Sequence, residues 1–357
     1  MKYIFLLSAD CIDLAKEEIL SLFHFEDFVL VNKLFIVDLK NNEREIVKLN
    51  KRLALTKSIY KLLLKCDFND LIKTIKNFDW SSIYKDNFCL RAHYQKISLE
   101  EKFLTKYSEK EVSGYIWRSV EKPKVDLENP KTRIDLFFTN KNVYCGLLIF
   151  ENNEDFESRK SHLRPFPHPS SLHPRLARAL INITGIKEDE ILFDPFCGTG
   201  GFLIEAGLMK IKTIGYDINK SMVNGCIKNL KNLKIQNFTI FPKNALKIFH
   251  GFDYVVSDLP YGLNSNIYLE YAETSLKHNK RNKINLKINK ESQIKQIEKF
   301  YLKFLKRLRK ILNKKAVIIF PNYVDYKSLL KTAKFKIENE FLIYVHRNLT
   351  REIVKIV

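Results

Sequence analysis

The run Asp194-Pro195-Phe196-Cys197-Gly198-Thr199-Gly200-Gly201, set between the apolar stretch EILF and a helical pattern, constrains this chain more than any other feature. Its glycines let the backbone turn tightly from a strand into a helix and approach a ligand with no Cβ in the way. The next apolar stretch, TIGYDI, brings Asp217 to roughly the spacing at which a carboxylate of a dinucleotide-type fold accepts both hydroxyls of a ribose. Many nucleotide binders use such a turn, and alone it reads equally well as a structural one. No Lys-Ser/Thr pair follows where a triphosphate loop needs it, so a triphosphate is disfavoured.

The pattern around that turn is α/β. EILFDPF, TIGYDI, FTIFP, FDYVVSD and KAVIIFP alternate with helical segments, one from Gly201 and one over 222–233, and a short helix and two strands close the chain. Alternation of this kind predicts a parallel sheet wrapped on both faces. The first 150 residues differ. KYIFLLS, a helix over 12–23 and the strand FVLVNKLFIVDL read as strand–helix–strand. A second α+β unit from about residue 59 holds FCLRAHYQ, a helix over 110–120, RIDLFFTN and YCGLLIF. Between them and the α/β part lies ENNEDFESRKSHLRPFPHPSSLHP, where Pro165, Pro167, Pro169 and Pro174 predict a linker or ordered loop. The expected division is 1–58, 59–150, a linker over 151–176, and 177–357.

A chain of 357 residues, 45% hydrophobic and 29% charged, has the balance of a folded protein of two or three domains. Its 61 Lys+Arg against 41 Asp+Glu give a net charge of +20, which favours a polyanion such as nucleic acid or else solvated lysine-rich helices. The first residues have no long apolar run, so neither a signal peptide nor a membrane span is expected. Six scattered cysteines form no C-x-x-C pair. No zinc or iron–sulfur ligand set is visible, no metal is expected, and the cysteines read as small apolar residues of a cytoplasmic protein.

FDYVVSD leads into Asp258-Leu259-Pro260-Tyr261-Gly262. An acid at the end of a strand, followed by proline and an aromatic, suits transfer of a methyl group to an sp² amine. The lone pair of such an amine is delocalised into its ring, so it attacks poorly. A carboxylate and a backbone carbonyl can accept its two hydrogens and turn the lone pair toward the methyl group. Proline fixes the loop, and the tyrosine ring can stack on a flipped base. D-x-P-Y-G is also good turn chemistry. Its place after the Gly-rich loop and Asp217, in fold order, favours the catalytic reading.

The stretch from Asp194 to Gly200 resembles motif I of class I S-adenosylmethionine methyltransferases. The resemblance implies that Asp194 fixes the loop and the methionine end, with Gly198 and Gly200 against the ligand and Asp217 on the ribose. Asn244-Ala245 stands where an Asp-Ala often receives the adenine amine; the Asn carbonyl can still accept that bond, without the charge. Pro195, Phe196, Thr199 and Ile218 complete the cofactor set on this side. Asp258 to Tyr261 resembles the (D/N/S)-P-P-(Y/F) motif of amino-methyltransferases, with Leu259 a departure that keeps the backbone carbonyl.

KVDLENPKTRIDLFFTNKNVYCGLLIF resembles the C-terminal half of a THUMP domain, an RNA-binding module. RPFPHPSSLHPRLARALINI is similar to the linker that leads THUMP-containing tRNA methyltransferases into their catalytic domain. The closing HRNLTREIVKI resembles the end of the archaeal tRNA guanosine-10 N2-methyltransferases. The likeness is diffuse before about residue 55. It implies ferredoxin-like and THUMP modules followed by a Rossmann-like domain, with tRNA as partner and no obligatory protein partner. The implied product is N2-methylguanosine at position 10, mono- or dimethylated. His168, Ser171 and Pro174 match the family's motif before the Gly-rich loop, on the methionine side of the cofactor; from its own surroundings His168 reads as a loop hydrogen-bonder rather than a general base.

Flipping a base out of a stem is costly, and phosphate contacts over a basic surface offset that cost. The run 277–290 and the helical stretch 299–312 fit such a surface. In the second, Phe300, Leu302, Phe304, Leu305, Leu308 and Ile311 make one face core and leave the Lys/Arg face for RNA or solvent. Alternatives are a guanine-N2 methyltransferase for another tRNA position or for rRNA, an adenine-N6 nucleic-acid methyltransferase, or a non-catalytic RNA-binding protein. The last predicts a broken cofactor loop or a lost acid, and the sequence has neither.

Overall fold

A computed structural model describes residues 1–39, 46, 48–94, 107–169, 171–261, 290–347 and 349–357. Gly262 and all but the last residue of the basic run 277–290 lie outside these. The chain divides into two compact units, residues 1–16 with 23–154, and residues 17–22 with 155–357.

The first unit is built on one seven-stranded sheet in the order β2-β3-β1-β4-β7-β6-β5. Its strands are β1 (Lys2–Leu7), β2 (Phe28–Val31), β3 (Leu34–Asp38), β4 (Thr56–Asp67), β5 (Phe88–Tyr94), β6 (Thr132–Phe138) and β7 (Asn142–Glu151). Only β5 and β6 pair in parallel. FVLVNKLFIVDL, read above as one strand, is a hairpin. Asn32 adopts φ 53°, a left-handed conformation that Asn tolerates better than most residues, and Val31 pairs with Leu34 across the turn. The expected break at 58/59 falls inside β4. That strand pairs with β1 on one side and with β7 on the other, so segments 1–58 and 59–150 share a sheet.

Alternation along β6 divides the core of this unit between two clusters. Ile134, Leu136 and Phe138 join Leu71 and Ile75 of the helix Leu71–Asn77, with Val112 and Ile116 of the helix Glu109–Trp117. Phe137 belongs instead with Ile4, Ile36, Tyr60 and Tyr144. Asp135 is fully buried. It accepts from Tyr60 Oη at 2.8 Å and Arg133 Nε at 3.0 Å, and pairs with His93 Nε2 at 2.7 Å. These partners hold its carboxyl below the usual aspartate range against the opposing effect of burial.

The second unit carries another seven-stranded sheet, ordered β10-β9-β8-β11-β12-β14-β13. It comprises β8 (Ile191–Asp194), β9 (Lys212–Asp217), β10 (Phe238–Pro242), β11 (Phe252–Asp258), β12 (Leu312–Pro321), β13 (Ile337–His346) and β14 (Leu349–Ile356). The first five in this order are parallel, as the alternation predicts. β14 runs antiparallel to both its neighbours, β12 and β13, a correction to the parallel expectation: a connection of a few residues between β13 and β14 is too short for a parallel crossover.

One core cluster sets Phe193, Val255, Ile318 and Val354 of the sheet against the helix Lys290–Arg309. Ile297, Tyr301, Phe304, Leu305 and Leu308 recur at helical spacing on its buried face; Tyr301 is buried there, while Leu302, assigned above to the core face, is only half-buried. A second cluster packs Leu203 and Ile204 with Cys226 and Leu230, joining the helices Gly201–Leu208 and Lys220–Asn232. Pro174, placed above in the linker, is the first residue of the helix Pro174–Asn182, capped by the His173 side chain. Proline is at home there because the first N–H of a helix has no intrahelical partner. Among the described residues no helix is long and apolar enough to cross a membrane.

Candidate active site

Parallel pairing brings the C-terminal ends of β8, β9 and β11 to one edge, and with them Asp194, Asp217 and Asp258. Strand order reverses direction between β8 and β11, and ligands of open α/β sheets bind in the crevice at such a point.

The Gly-rich loop is held from both sides. The Cys197 N–H donates to the Tyr216 carbonyl at 2.8 Å, and the Gly198 N–H donates to Asp217 Oδ2 at 3.0 Å. Asp217 Oδ1 accepts from the Asn219 N–H at 2.8 Å. Gly198 and Gly200 have φ of 51° and 87°, where a side chain is strained. Their surroundings differ. A Cβ on Gly198 would meet nothing within 4 Å, whereas one on Gly200 would lie 2.6 Å from Cys226 Sγ. Gly198 therefore opens onto the crevice, and Gly200 lets the helix Lys220–Asn232 pack close.

Asp194 is 2% exposed, and its Oδ1 accepts from the Phe196 N–H at 3.1 Å and from Ser257 Oγ at 3.0 Å. It thus fixes the loop and ties β11 to β8, while burial pushes its carboxyl up to about 8. Pro195 and Thr199 are buried, and Phe196 turns its ring edge toward Phe300 and Phe304. Thr199 Oγ1 lies 3.1 Å from Ser171 Oγ. The His168 N–H donates to Ser161 Oγ at 2.9 Å, and the His168 carbonyl accepts from the same hydroxyl at 2.6 Å. His168 also acts on Asp217, whose carboxyl is raised by burial and drawn down by its two N–H donors and by this imidazole. A cleft of 480 Å³ runs past Pro167, His168, Ser171 and His173. Further along the edge, Ile218 is 49% exposed beside Asp217. Asn244 Oδ1 accepts from the Leu246 N–H at 2.8 Å, capping the turn Ala245–Lys247, so one of its two lone pairs is taken.

Leu259, Pro260 and Tyr261, which follow β11, are each pinned by a hydrogen bond. Leu259 is 1% exposed, and its N–H donates to the Ile319 carbonyl at 3.3 Å. The Pro260 carbonyl accepts from Tyr301 Oη at 2.9 Å, and the Tyr261 carbonyl accepts from Tyr323 Oη at 2.5 Å. Tyr261 Oη donates to Asp258 Oδ1 at 2.7 Å. Arg351, from β14, donates through Nε to Tyr261 Oη at 3.0 Å and brings Nη2 to 3.8 Å from Asp258 Oδ2. Burial pushes the Asp258 carboxyl up to about 6, with Arg351 and the Tyr261 hydroxyl opposing. A partly exposed carboxylate on a rigid loop, beside a crevice with a second carboxylate and an open glycine, can orient a donor amine against a ligand in that crevice. Arg351, Tyr301, Tyr323 and Ser257 have no assignment in the sequence reading. They contact the site across strands and helices; Arg351 lies in a stretch singled out above, HRNLTREIVKI, which carried the family likeness without giving that residue a role.

The chain matches the family model described as RMKL-like, methyltransferase domain, over residues 161–268, and the THUMP domain model over residues 65–147. It is 30% identical over 323 residues to the tRNA (guanine(10)-N2)-dimethyltransferase of Methanothermobacter thermautotrophicus, covering 89% of this chain and 86% of that protein. With the protein of the same name from Pyrococcus abyssi it shares 28% over 347 residues, 95% of this chain and 94% of the relative. Among solved structures, TrmN from Thermus thermophilus aligns over 100% of this chain and 99% of its own, with a TM-score of 0.56 and 15% identity, a likeness of fold.

Proposed function

The chain belongs to the family of archaeal tRNA (guanine(10)-N2)-dimethyltransferases, and on that premise we propose that it methylates the N2 amine of guanosine 10 in tRNA, with Asp258 orienting the amine. S-adenosylmethionine, when bound, supplies an electrophilic methyl group on a sulfonium sulfur. The donor groups along the crevice suit that ligand. Asp217 offers a carboxylate to a ribose diol, Ile218 an apolar wall to an adenine ring, and Asn244 its second lone pair to the ring's amine, whereas the Ala245 side chain is buried in the core. The open side of Gly198 and the cleft past His168 and Ser171 leave room for the methionine portion. Asp194 belongs to the support of the loop, since its side chain is buried and faces Phe196 and Ser257.

The observation that carries the reading is the pinned Asp258–Tyr261 loop beside that crevice. Asp258 Oδ2 and the Leu259 carbonyl accept the two amine hydrogens and turn the nitrogen lone pair toward the crevice. Among the described residues no group donates to the Leu259 carbonyl, whereas the next two carbonyls are committed to Tyr301 and Tyr323. The Tyr261 ring, fixed by its hydroxyl, lines one side of the flipped base. The relatives' name supports a second transfer to the same nitrogen.

Methyl transfer from labelled S-adenosylmethionine to unmodified tRNA transcripts, followed by nucleoside mass spectrometry and mapping, tests this. N2-methylated guanosine at position 10 is expected from the wild type and none from Asp258→Ala, which keeps its cofactor affinity. The same nucleoside at another position would move the target, and a mutant with wild-type rate would remove Asp258 from the mechanism.

A further inference from the structure

We propose that Arg351 is a positioning residue for methyl transfer, holding Tyr261 and Asp258 as one hydrogen-bonded unit while keeping its own hydrogen bonds off Asp258 Oδ2, the oxygen that meets the target amine. This rests on the reading of Asp258 given above and adds a residue to it from the last strand of the chain.

The geometry of β14 carries the argument. Arg351 stands opposite Pro321 in the register, and Asp258 opposite Ile319 of the same strand, so the guanidinium reaches past the end of β12 to the catalytic loop. The start of β14 is held by a reciprocal pair: the Asn322 N–H donates to the Thr350 carbonyl, and the Thr350 N–H donates to Asn322 Oδ1, each at 3.1 Å. The Arg351 side chain is 12% exposed. A desolvated guanidinium fixed at its root makes stronger and more directional hydrogen bonds than one in water.

Its two contacts differ in kind. Nε donates to the Tyr261 hydroxyl at 3.0 Å, and that hydroxyl donates to Asp258 Oδ1 at 2.7 Å. A phenol that accepts from a cation is a better donor, so this relay locks the tyrosine ring and fixes the carboxylate plane. The approach of Nη2 to Asp258 Oδ2, at 3.8 Å, is too long for a hydrogen bond and close enough for charge attraction. Arg351 thus favours the ionised carboxylate without occupying the oxygen that the amine needs. The titratable groups around Asp258, among the described residues, are Tyr261 on its own loop, Asp194 at the end of β8, Tyr301 on the helix Lys290–Arg309 and Tyr323 after β12. Arg351 is the cation among the causes acting on Asp258.

The test compares full-length wild type with R351Q, R351K, Y261F and D258A, using tRNA transcripts over a range of pH. R351Q is expected to lower kcat about 10-fold or more, the scale of losing a charge-assisted hydrogen bond, with KM for both substrates nearly unchanged. Its acid limb should move up by about one pH unit, the effect of removing a neighbouring opposite charge. R351K should return the acid limb to its wild-type position with kcat still reduced, because an ammonium lacks the guanidinium's fork. Y261F, which keeps the ring and loses the relay, should lower kcat as R351Q does. If R351Q does not fold, R351K and Y261F carry the same test. Wild-type kcat in R351Q or Y261F, a loss confined to KM, or a lowered melting temperature with an unmoved acid limb would overturn the proposal. An inactive D258A beside an unaffected R351Q removes only Arg351, whereas an active D258A removes the reading on which it rests.

Discussion

Asp258→Asn should make the protein more stable at neutral pH while stopping its chemistry, and the size of the gain follows from where the carboxyl sits. An ordinary aspartate titrates near 3.8, and burial raises Asp258 to about 6. Below the lower value the carboxyl is protonated in both the folded and the unfolded chain, and folding pays no penalty. Between the two values the unfolded chain has released its proton and the folded one retains it. Stability therefore falls as pH rises through this window and stays lowered above it. The full difference corresponds to about 3 kcal/mol. Solvent screens part of it, since the side chain is 20% exposed. An amide keeps the acceptor for Tyr261, and the attraction to Arg351 that it gives up is already counted in the value of about 6. The net gain at pH 7 is then about 2 kcal/mol, or a melting temperature higher by about 4–8 °C for a domain of this size.

Thermal unfolding at pH 7.5 and pH 4, with methyl transfer measured alongside, checks this. The variant should melt above the wild type at pH 7.5, lose that advantage at pH 4, and turn over about 100-fold more slowly or worse. A variant less stable than the wild type at pH 7.5 would refute the reasoning, because it would mean that Asp258 is held by favourable contacts rather than strained by burial. An advantage of equal size at both pH values would also refute it, since the gain would then have no link to ionisation.

Gly200→Ala should destabilise the fold by about 1–3 kcal/mol, because its φ of 87° strains any side chain and the new Cβ would lie 2.6 Å from Cys226 Sγ; chemical denaturation reads this directly. Asp217→Ala should weaken S-adenosylmethionine binding about 10- to 100-fold by calorimetry, through loss of the ribose acceptor and of the carboxylate that holds the Gly198 N–H. Asp135→Ala should destabilise the protein by about 3–5 kcal/mol by leaving the half-buried Arg133 without its fully buried partner, a loss measurable by chemical unfolding.

Much of this architecture is legible in the sequence because it is local. The strand before Asp194, the glycines after it and the strand that ends at Asp217 form a contiguous pattern, and parallel pairing alone then puts the two acids at one edge. Other features were misread where one residue's backbone preference overrides a pattern. Asn32 splits an apolar run into a hairpin, and Pro174 begins a helix rather than preventing one. Contacts across the sheet are a different matter. Arg351 and Tyr261 are 90 residues apart, and their bond depends on the antiparallel return of β14 beside β12, which no spacing in the sequence encodes.

Leu259 shows how the local and the distant combine. A proline at this position would have no N–H, whereas leucine brings one that must be satisfied where the loop is buried. The fold supplies the Ile319 carbonyl at 3.3 Å, in register with the β11–β12 pairing that ends one residue earlier, and takes the leucine side chain into the core. The departure from the double proline of the amino-methyltransferase motif is thereby absorbed by extending a ladder already present. The stiffness that a ring would have given comes from hydrogen bonds made by Ile319, Tyr301 and Tyr323 to three successive residues. Loop rigidity at this site is thus a property of the packed domain rather than of its prolines, and removing either tyrosine hydroxyl should loosen it in a way that Pro260 alone does not prevent.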